Sequence, residues 1–297
     1  MKSETIDISS YLKSCPRPTI DVRSPGEFMA GHIPEAINIP LFNDEERASV
    51  GICYKNQGRC PAIAEGLRIV GQKAQDLLRA LGRFSDGERI YVHCWRGGMR
   101  SEAFNWFACQ SGLSAERISG GYKAYRRAAH ECFAQPMKIV ILSGYTGVGK
   151  TVLLQELRSQ GEQVIDLEFL ASHRGSAFGG IGQPEQPTVE QFENDLFEAL
   201  RGVDPERPIW IEDESQSIGR VNIRWHCGNR CGLLREFLLA RIGTAELNYW
   251  YVSMVGYQPA LWGMPLGESK RGSADCVFNR PWMLWKMIAS TSLQTSH

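Results

Sequence analysis

Two stretches of the chain combine residue types and spacings that can do chemistry. The first is His93-Cys94-Trp95-Arg96-Gly97-Gly98-Met99-Arg100-Ser101, which joins an extended run to a helical one. A cysteine so placed sits at the carboxyl edge of a parallel sheet and at the mouth of a helix. Backbone N–H groups of a short, glycine-bearing loop can turn toward its sulfur, and Arg96 and Arg100 add positive charge. That setting favours the thiolate and would hold a persulfide-type anion in the same way. Cys94, Arg96 and Arg100 are therefore catalytic candidates, against the plain alternative of a buried, inert thiol.

The second stretch is Gly144-Tyr145-Thr146-Gly147-Val148-Gly149-Lys150-Thr151, which fits G-x-x-x-x-G-K-[ST]. Gly144, Gly147 and Gly149 let backbone N–H groups curl around phosphate oxygens, and the helix N-terminus adds positive potential. Lys150 supplies a point charge and Thr151 a hydroxyl for Mg²⁺. A P-loop of this type takes an acidic residue from the end of another strand for the magnesium shell. Glu212 and Asp213, after Pro208–Ile211, are candidates, with Asp166 as their rival. His173 and Arg174 are further candidates for holding a phosphate. The pattern says phosphate or diphosphate; it does not say ATP, and the sequence shows no identifiable adenine pocket.

These residues need elements to hold them. Between Pro18 and about Arg127, β-like runs (Thr19–Val22, Ala36–Pro40, Arg89–His93) alternate with helical periodicity at Ala62–Leu81 and Arg100–Ser111, which argues for a parallel sheet with helices on its faces. Ala128–Gln135 reads as a connecting helix or linker. A second α/β unit begins with the buried-type strand Lys138–Ser143, continues into a helix from Lys150 to Ser159, and includes strands at Val164–Asp166 and Pro208–Glu212. The division is 1–130, 136–222 and a tail, 223–297.

The bulk properties exclude little. Lys and Arg total 33, as do Asp and Glu, so net charge does not announce a nucleic-acid binder. From Ile218 onward, however, nine basic residues face four acidic ones. Nine irregularly spaced cysteines point to free thiols. Cys227 and Cys231 have no second pair at zinc spacing, so no structural metal site is expected. No apolar run reaches the ~18 residues of a membrane span, and the first residues lack signal-peptide order. A cytoplasmic location follows.

The cysteine loop resembles the active-site loop of rhodanese sulfurtransferases. Asp21-Val22-Arg23 with Glu27-Phe28, Gly31-His32-Ile33-Pro34 through Pro40, and Ser119-Gly120-Gly121-Tyr122 resemble that family's other signatures, in the same order. A rhodanese running directly into a P-loop is similar to the bacterial tRNA 2-selenouridine synthases. So are Asn43–Gly51, Tyr54–Gly58, Asp166–Gly179 and Glu212–Ser215; the resemblance covers about residues 15–222. It implies a rhodanese-like parallel-sheet domain followed by a P-loop NTPase-like α/β domain. It also implies exchange of sulfur for selenium in wobble 5-substituted 2-thiouridine of tRNA. The base is first S-geranylated by geranyl diphosphate, and selenium then comes from selenophosphate. On this reading the P-loop binds the diphosphate, with no tightly bound cofactor beyond Mg²⁺, and Cys94 serves the selenium step as nucleophile or perselenide carrier. His173 and Arg174 would meet a diphosphate or a tRNA phosphate, and Lys123, Arg126 and Arg127 the tRNA backbone. A sulfurtransferase with a kinase-like P-loop passenger is the second reading. Beyond about Asn222 the pattern fades into a tryptophan-rich segment, which predicts a divergent or frameshifted tail with one amphipathic helix at about Cys231–Ile242.

Overall fold

A computed structural model of the chain describes residues 4–14, 17–85, 87–143, 149–175, 178–213, 217–222, 235–244 and 247–255. The described residues divide between two compact units. One is drawn from Met1–Met137, Ile165–Arg207 and Glu214–Gly232, the other from Lys138–Val164, Pro208–Asp213 and Leu233–His297.

The first unit opens with β1 (Thr5–Ile6), α1 (Ile8–Lys13), β2 (Thr19–Asp21), α2 (Pro25–Ala30) and β3 (Ile37–Asn38). It continues with α3 (Asp44–Gln57), α4 (Arg59–Leu81), β4 (Arg89–His93), α5 (Met99–Gln110), β5 (Ser114–Ile118) and α6 (Gly121–Phe133). The strands form a parallel sheet of order β1-β5-β4-β2-β3, which puts β4 in the middle. The pleat sends alternate residues of β4 to opposite faces. Ile90 and Val92 join one buried cluster with Ile20, Val22 and Phe104, while Tyr91 joins another with Ile33, Ile118, Tyr122 and Tyr125.

Local sequence explains the helix starts near the site. At α2, Pro25 takes the first helical position and Glu27 accepts from the Ser24 N–H (3.2 Å). At α3, Asn43 accepts from the Glu46 N–H while Glu46 accepts from the Asn43 N–H, each at 2.8 Å, a reciprocal capping box. Gly58, at φ +88°, ends α3 and begins α4, so the two helices break sharply there.

The second unit begins with β6 (Ile139–Ser143), α7 (Lys150–Ser159) and β7 (Gln163–Ile165). The chain returns to the first unit for α8 (Leu167–Leu170) and the amphipathic α9 (Val189–Arg201), then re-enters the second for β8 (Ile209–Glu212). A small antiparallel pair, β9 (Ser217–Ile218) and β10 (Val221–Asn222), belongs to the first unit. β11 (Arg235–Thr244) and β12 (Leu247–Val255) complete the second unit's sheet, of order β12-β11-β6-β8-β7.

The expected helix at Cys231–Ile242 is therefore corrected. From Arg235 the chain is a strand running parallel to β6, with Arg235 opposite Val140 and Leu238 opposite Ser143. Its apolar residues fit both the helical and the strand period, and pairing with β6 on one side and β12 on the other makes it a strand. The rest of the expected tail, residues 223–234 (with the first four of the expected helix), 245–246 and 256–297, lies outside the described residues.

Candidate active site

Cys94 immediately follows β4, and the loop to α5 folds back over the start of α6. The Tyr122 N–H donates to the Cys94 carbonyl and the Lys123 N–H to the Trp95 carbonyl, each at 2.9 Å. This stacking requires glycine at two points. A Cβ on Gly121 (φ +57°) would lie 2.2 Å from the Cys94 oxygen and 2.5 Å from the Gly97 nitrogen. One on Gly97 (φ +65°) would lie 2.5 Å from the Ile118 oxygen. The Gly-Gly-Tyr signature and the cysteine loop are thus two halves of one backbone contact.

The Cys94 sulfur is buried and lies 3.4 Å from the Ser101 hydroxyl, which also reaches the Gly98 carbonyl at 2.8 Å. Gly98 caps α5 without a side chain, so the first-turn N–H groups remain available to an anion on the sulfur.

The two arginines part ways. Arg96 is exposed, with no ion pair among the described residues. Arg100 is half-buried and donates to Glu27 at 2.7 Å, and Arg47 reaches the same carboxylate at 3.0 Å. Burial pulls the Glu27 carboxyl up. The hydrogen bond and charge of Arg100, the Ser24 N–H and the charge of Arg47 outweigh it and hold the group below the ordinary carboxylate range. Glu27 therefore fixes where the Arg100 charge sits.

Beneath the loop lies a fully buried ion pair. Arg23 donates to Asp21 through Nε (2.9 Å) and Nη2 (2.6 Å), gives a further bond to the Gly31 carbonyl (2.7 Å), and stands 3.8 Å from the Tyr122 ring centroid. His93 is also fully buried, and among the described residues neither ring nitrogen has a hydrogen-bond partner. Burial pushes its imidazole down; Asp21, 3.9 Å away, pulls it up less strongly, so His93 stays neutral. Sequence reasoning assigned no role to Glu27, Asp21, Arg23 or Gly121. Each stands in a signature already quoted, and the Ser24–Glu27 capping pattern was the readable clue to Glu27.

On the phosphate side, Gly144 and Gly147 lie outside the described residues. Gly149, at φ +95°, caps α7, which Lys150 and Thr151 begin. Glu212 is buried at the carboxyl end of β8, opposite Leu142 of β6, and the Asp213 N–H donates to the Leu142 carbonyl at 3.0 Å. Both acids thus stand beside the strand that leads into the P-loop. Asp166 caps α8, accepting from the Phe169 N–H at 2.8 Å. His173 packs against Gly179, and Arg174 is exposed. Of the basic residues on α6, Arg126 turns inward to Asn194 (2.7 Å) and Glu193 of α9, so its charge is already neutralised within the unit. Lys123 and Arg127 remain at the surface.

Cys53, Cys60, Cys94, Cys109 and Cys132 are free thiols. No helix among the described residues is long and apolar enough to cross a membrane.

Two family models match the chain. Residues 7–128 match the rhodanese-like domain, and residues 137–230 match the tRNA 2-selenouridine synthase AAA domain. The chain is 39% identical over 224 residues to the tRNA 2-selenouridine synthase of Nitrosomonas europaea, covering 73% of this chain and 58% of that protein. It is 41% identical over 223 residues to that of Nitrosomonas eutropha (72% and 57%). With that of Hydrogenovibrio crunogenus the identity is 42% over 259 residues (81% and 70%). The chain thus spans somewhat over half the length of the two Nitrosomonas proteins.

Proposed function

Because the chain belongs to the tRNA 2-selenouridine synthase family, we propose that it replaces sulfur by selenium in the wobble 5-substituted 2-thiouridine of tRNA, in the cytoplasm. The observation that carries this reading is a thiol on an anion-cradling loop, Cys94, in one chain with a strand, P-loop and helix.

In the first step the thiouridine sulfur attacks C1 of geranyl diphosphate. A C–S bond forms, and the C–O bond to diphosphate breaks. Lys150, the Gly149 turn and the α7 N-terminus take up the charge developing on the departing diphosphate. Thr151 with Glu212 or Asp213 offers the hard oxygen donors that suit Mg²⁺, which would further neutralise that charge. His173 and Arg174 are proposed phosphate contacts. S-alkylation makes the sulfur a better leaving group at C2.

In the second step the Cys94 thiolate adds to C2 and geranylthiolate leaves; the selenium of selenophosphate then attacks C2, the C–S bond to Cys94 breaks, and water cleaves the P–Se bond to release phosphate. Before the attack the thiolate is held by the α5 N-terminus and by the Arg100 charge that Glu27 positions. Arg96, at the rim, is free to meet the incoming anion.

The test is mass spectrometry of an anticodon stem-loop bearing 2-thiouridine, incubated first with geranyl diphosphate and then with selenophosphate. The reading expects an S-geranyl nucleoside, then selenouridine. Thiosulfate:cyanide sulfur transfer and ATP turnover without either nucleoside would replace it with the sulfurtransferase reading.

A further inference from the structure

The first unit carries a groove of about 980 Å³, at the upper end of the range for small-molecule sites. Helices α3, α4 and α5 form it. Its walls are apolar, yet Ile52 (61%), Leu67 (65%) and Trp106 (59%) stand largely open to solvent within it. Exposed apolar surface on this scale marks a binding face.

Three glycines keep it open. Gly51 of α3 and Gly71 of α4 would meet nothing within 4 Å if they carried a Cβ, and at Gly66 of α4 only Phe42 would come close, at 3.3 Å. Glycine destabilises a helix interior relative to alanine. None of the three has a positive φ or a backbone approach to justify it. What they share is the groove, where a side chain would occupy the free volume.

The charge is one-sided. All four charged side chains of the lining are cations: Arg47, Lys55, Arg59 and Arg100. Arg47 and Arg100 share Glu27, whereas Lys55 and Arg59 have no ion-pair partner among the described residues. The groove also reaches Met99 and Arg100, in the first turn of α5, the same turn that carries Ser101 against the Cys94 sulfur.

An apolar trough with a cationic rim fits a hydrocarbon chain carried by a polyanion. We infer that this groove holds the ten-carbon isoprenoid chain on the wobble base of the S-alkylated RNA, and so presents C2 of that base to the Cys94 loop. The inference rests on the S-geranyl intermediate proposed above. It gives the first unit a chain-binding site separate from the diphosphate-binding P-loop, so that the alkylated RNA, rather than the free diphosphate, is its ligand.

The test uses the full chain and two synthetic anticodon stem-loops, bearing S-geranyl- or S-methyl-2-thiouridine, with binding read by fluorescence anisotropy. Each buried methylene is worth about fourfold in affinity before the costs of ordering the chain. The wild type should therefore prefer the S-geranyl RNA by at least about tenfold. Gly51→Leu and Gly71→Leu place a side chain in open groove and tolerate helical backbone. Each should cut the ratio of the two affinities by about tenfold or more, while Gly51→Ala shifts it little. Equal affinities in the wild type, or a preference untouched by both leucines, overturn the inference. Because the S-geranyl RNA is supplied ready-made, this outcome is independent of turnover. Failure to form S-geranyl nucleoside from 2-thiouridine RNA would count against the proposed function alone.

Discussion

Gly121→Ala is the sharpest probe of how the cysteine loop is built. An alanine held at φ +57° loses about 1–2 kcal/mol to left-handed backbone strain. Its Cβ would stand 2.2 Å from the Cys94 oxygen and 2.5 Å from the Gly97 nitrogen, both backbone atoms, so the loop must withdraw by roughly an ångström to restore van der Waals contact. Withdrawal stretches the two 2.9 Å bonds from Tyr122 and Lys123 to Cys94 and Trp95, each worth about 0.5–1.5 kcal/mol. The sum is about 2–5 kcal/mol, a large share of the roughly 5–15 kcal/mol that stabilises an ordinary domain. A displacement of this size at the reacting group also slows catalysis by about a hundredfold. Urea denaturation of the full chain reads the first effect, and selenium incorporation from S-geranyl RNA the second. A loss below about 1 kcal/mol, with wild-type incorporation, would refute the claim that this glycine seats the cysteine loop.

Three further substitutions test the residues around the loop. Glu27→Gln removes the carboxylate that holds Arg100 and Arg47. It should destabilise by about 1–3 kcal/mol at neutral pH and slow the Cys94-dependent step. Because the native carboxyl is held below its ordinary value, its contribution is present above pH about 4.5 and fades as pH falls, so wild type and variant should converge in acid denaturation. Asp21→Asn leaves Arg23 buried without its counter-ion and should lose about 3–5 kcal/mol in the same assay. His93→Leu removes an imidazole that is neutral and unpartnered among the described residues. Since burial lowers its proton affinity, the wild type loses stability as pH falls through about 6.5, and the variant's pH–stability profile should be flatter between pH 7 and 5. An unchanged profile would remove His93 from the account.

Much of this architecture was legible in the residues. The run Arg89–His93 is β4 to the residue, and Lys150–Ser159 is α7, because each is bounded by its own punctuation: a loop of glycines after one, the Gly149 turn before the other. Among the elements that were not read, three show why. α3 carries its start signal, Asn43 with Glu46, but one face lines an open groove, so its apolar residues do not report burial. β5 interrupts its apolar positions with Glu116 and Arg117. β11 satisfies helical and strand periods alike, and only its pairing with β6 and β12 decides between them.

The site divides in the same way. Cys94, Lys150 and Thr151 announce themselves because chemistry restricts residue type at fixed spacing. Glu27 and Gly121 act through contacts between segments far apart in sequence. Glu27 meets Arg100 across 73 positions, and Gly121 meets Cys94 with all of α5 and β5 between them, so no local spacing encodes either contact. Arg126 makes the same point in reverse: its position suggested a phosphate contact, and the fold spends its charge on Glu193.

The central claim is that Cys94 drives selenium exchange at a base already alkylated through the P-loop unit. It is tested most directly by supplying S-geranyl-2-thiouridine stem-loop and selenophosphate to the wild type, Cys94→Ser and Lys150→Ala, and quantifying selenouridine by mass spectrometry in a single turnover. The account predicts that Lys150→Ala forms selenouridine at close to the wild-type rate, because the diphosphate step has been bypassed, while Cys94→Ser forms at least a hundredfold less, on the order of what losing a nucleophile costs. Selenouridine formed equally well by Cys94→Ser would contradict it.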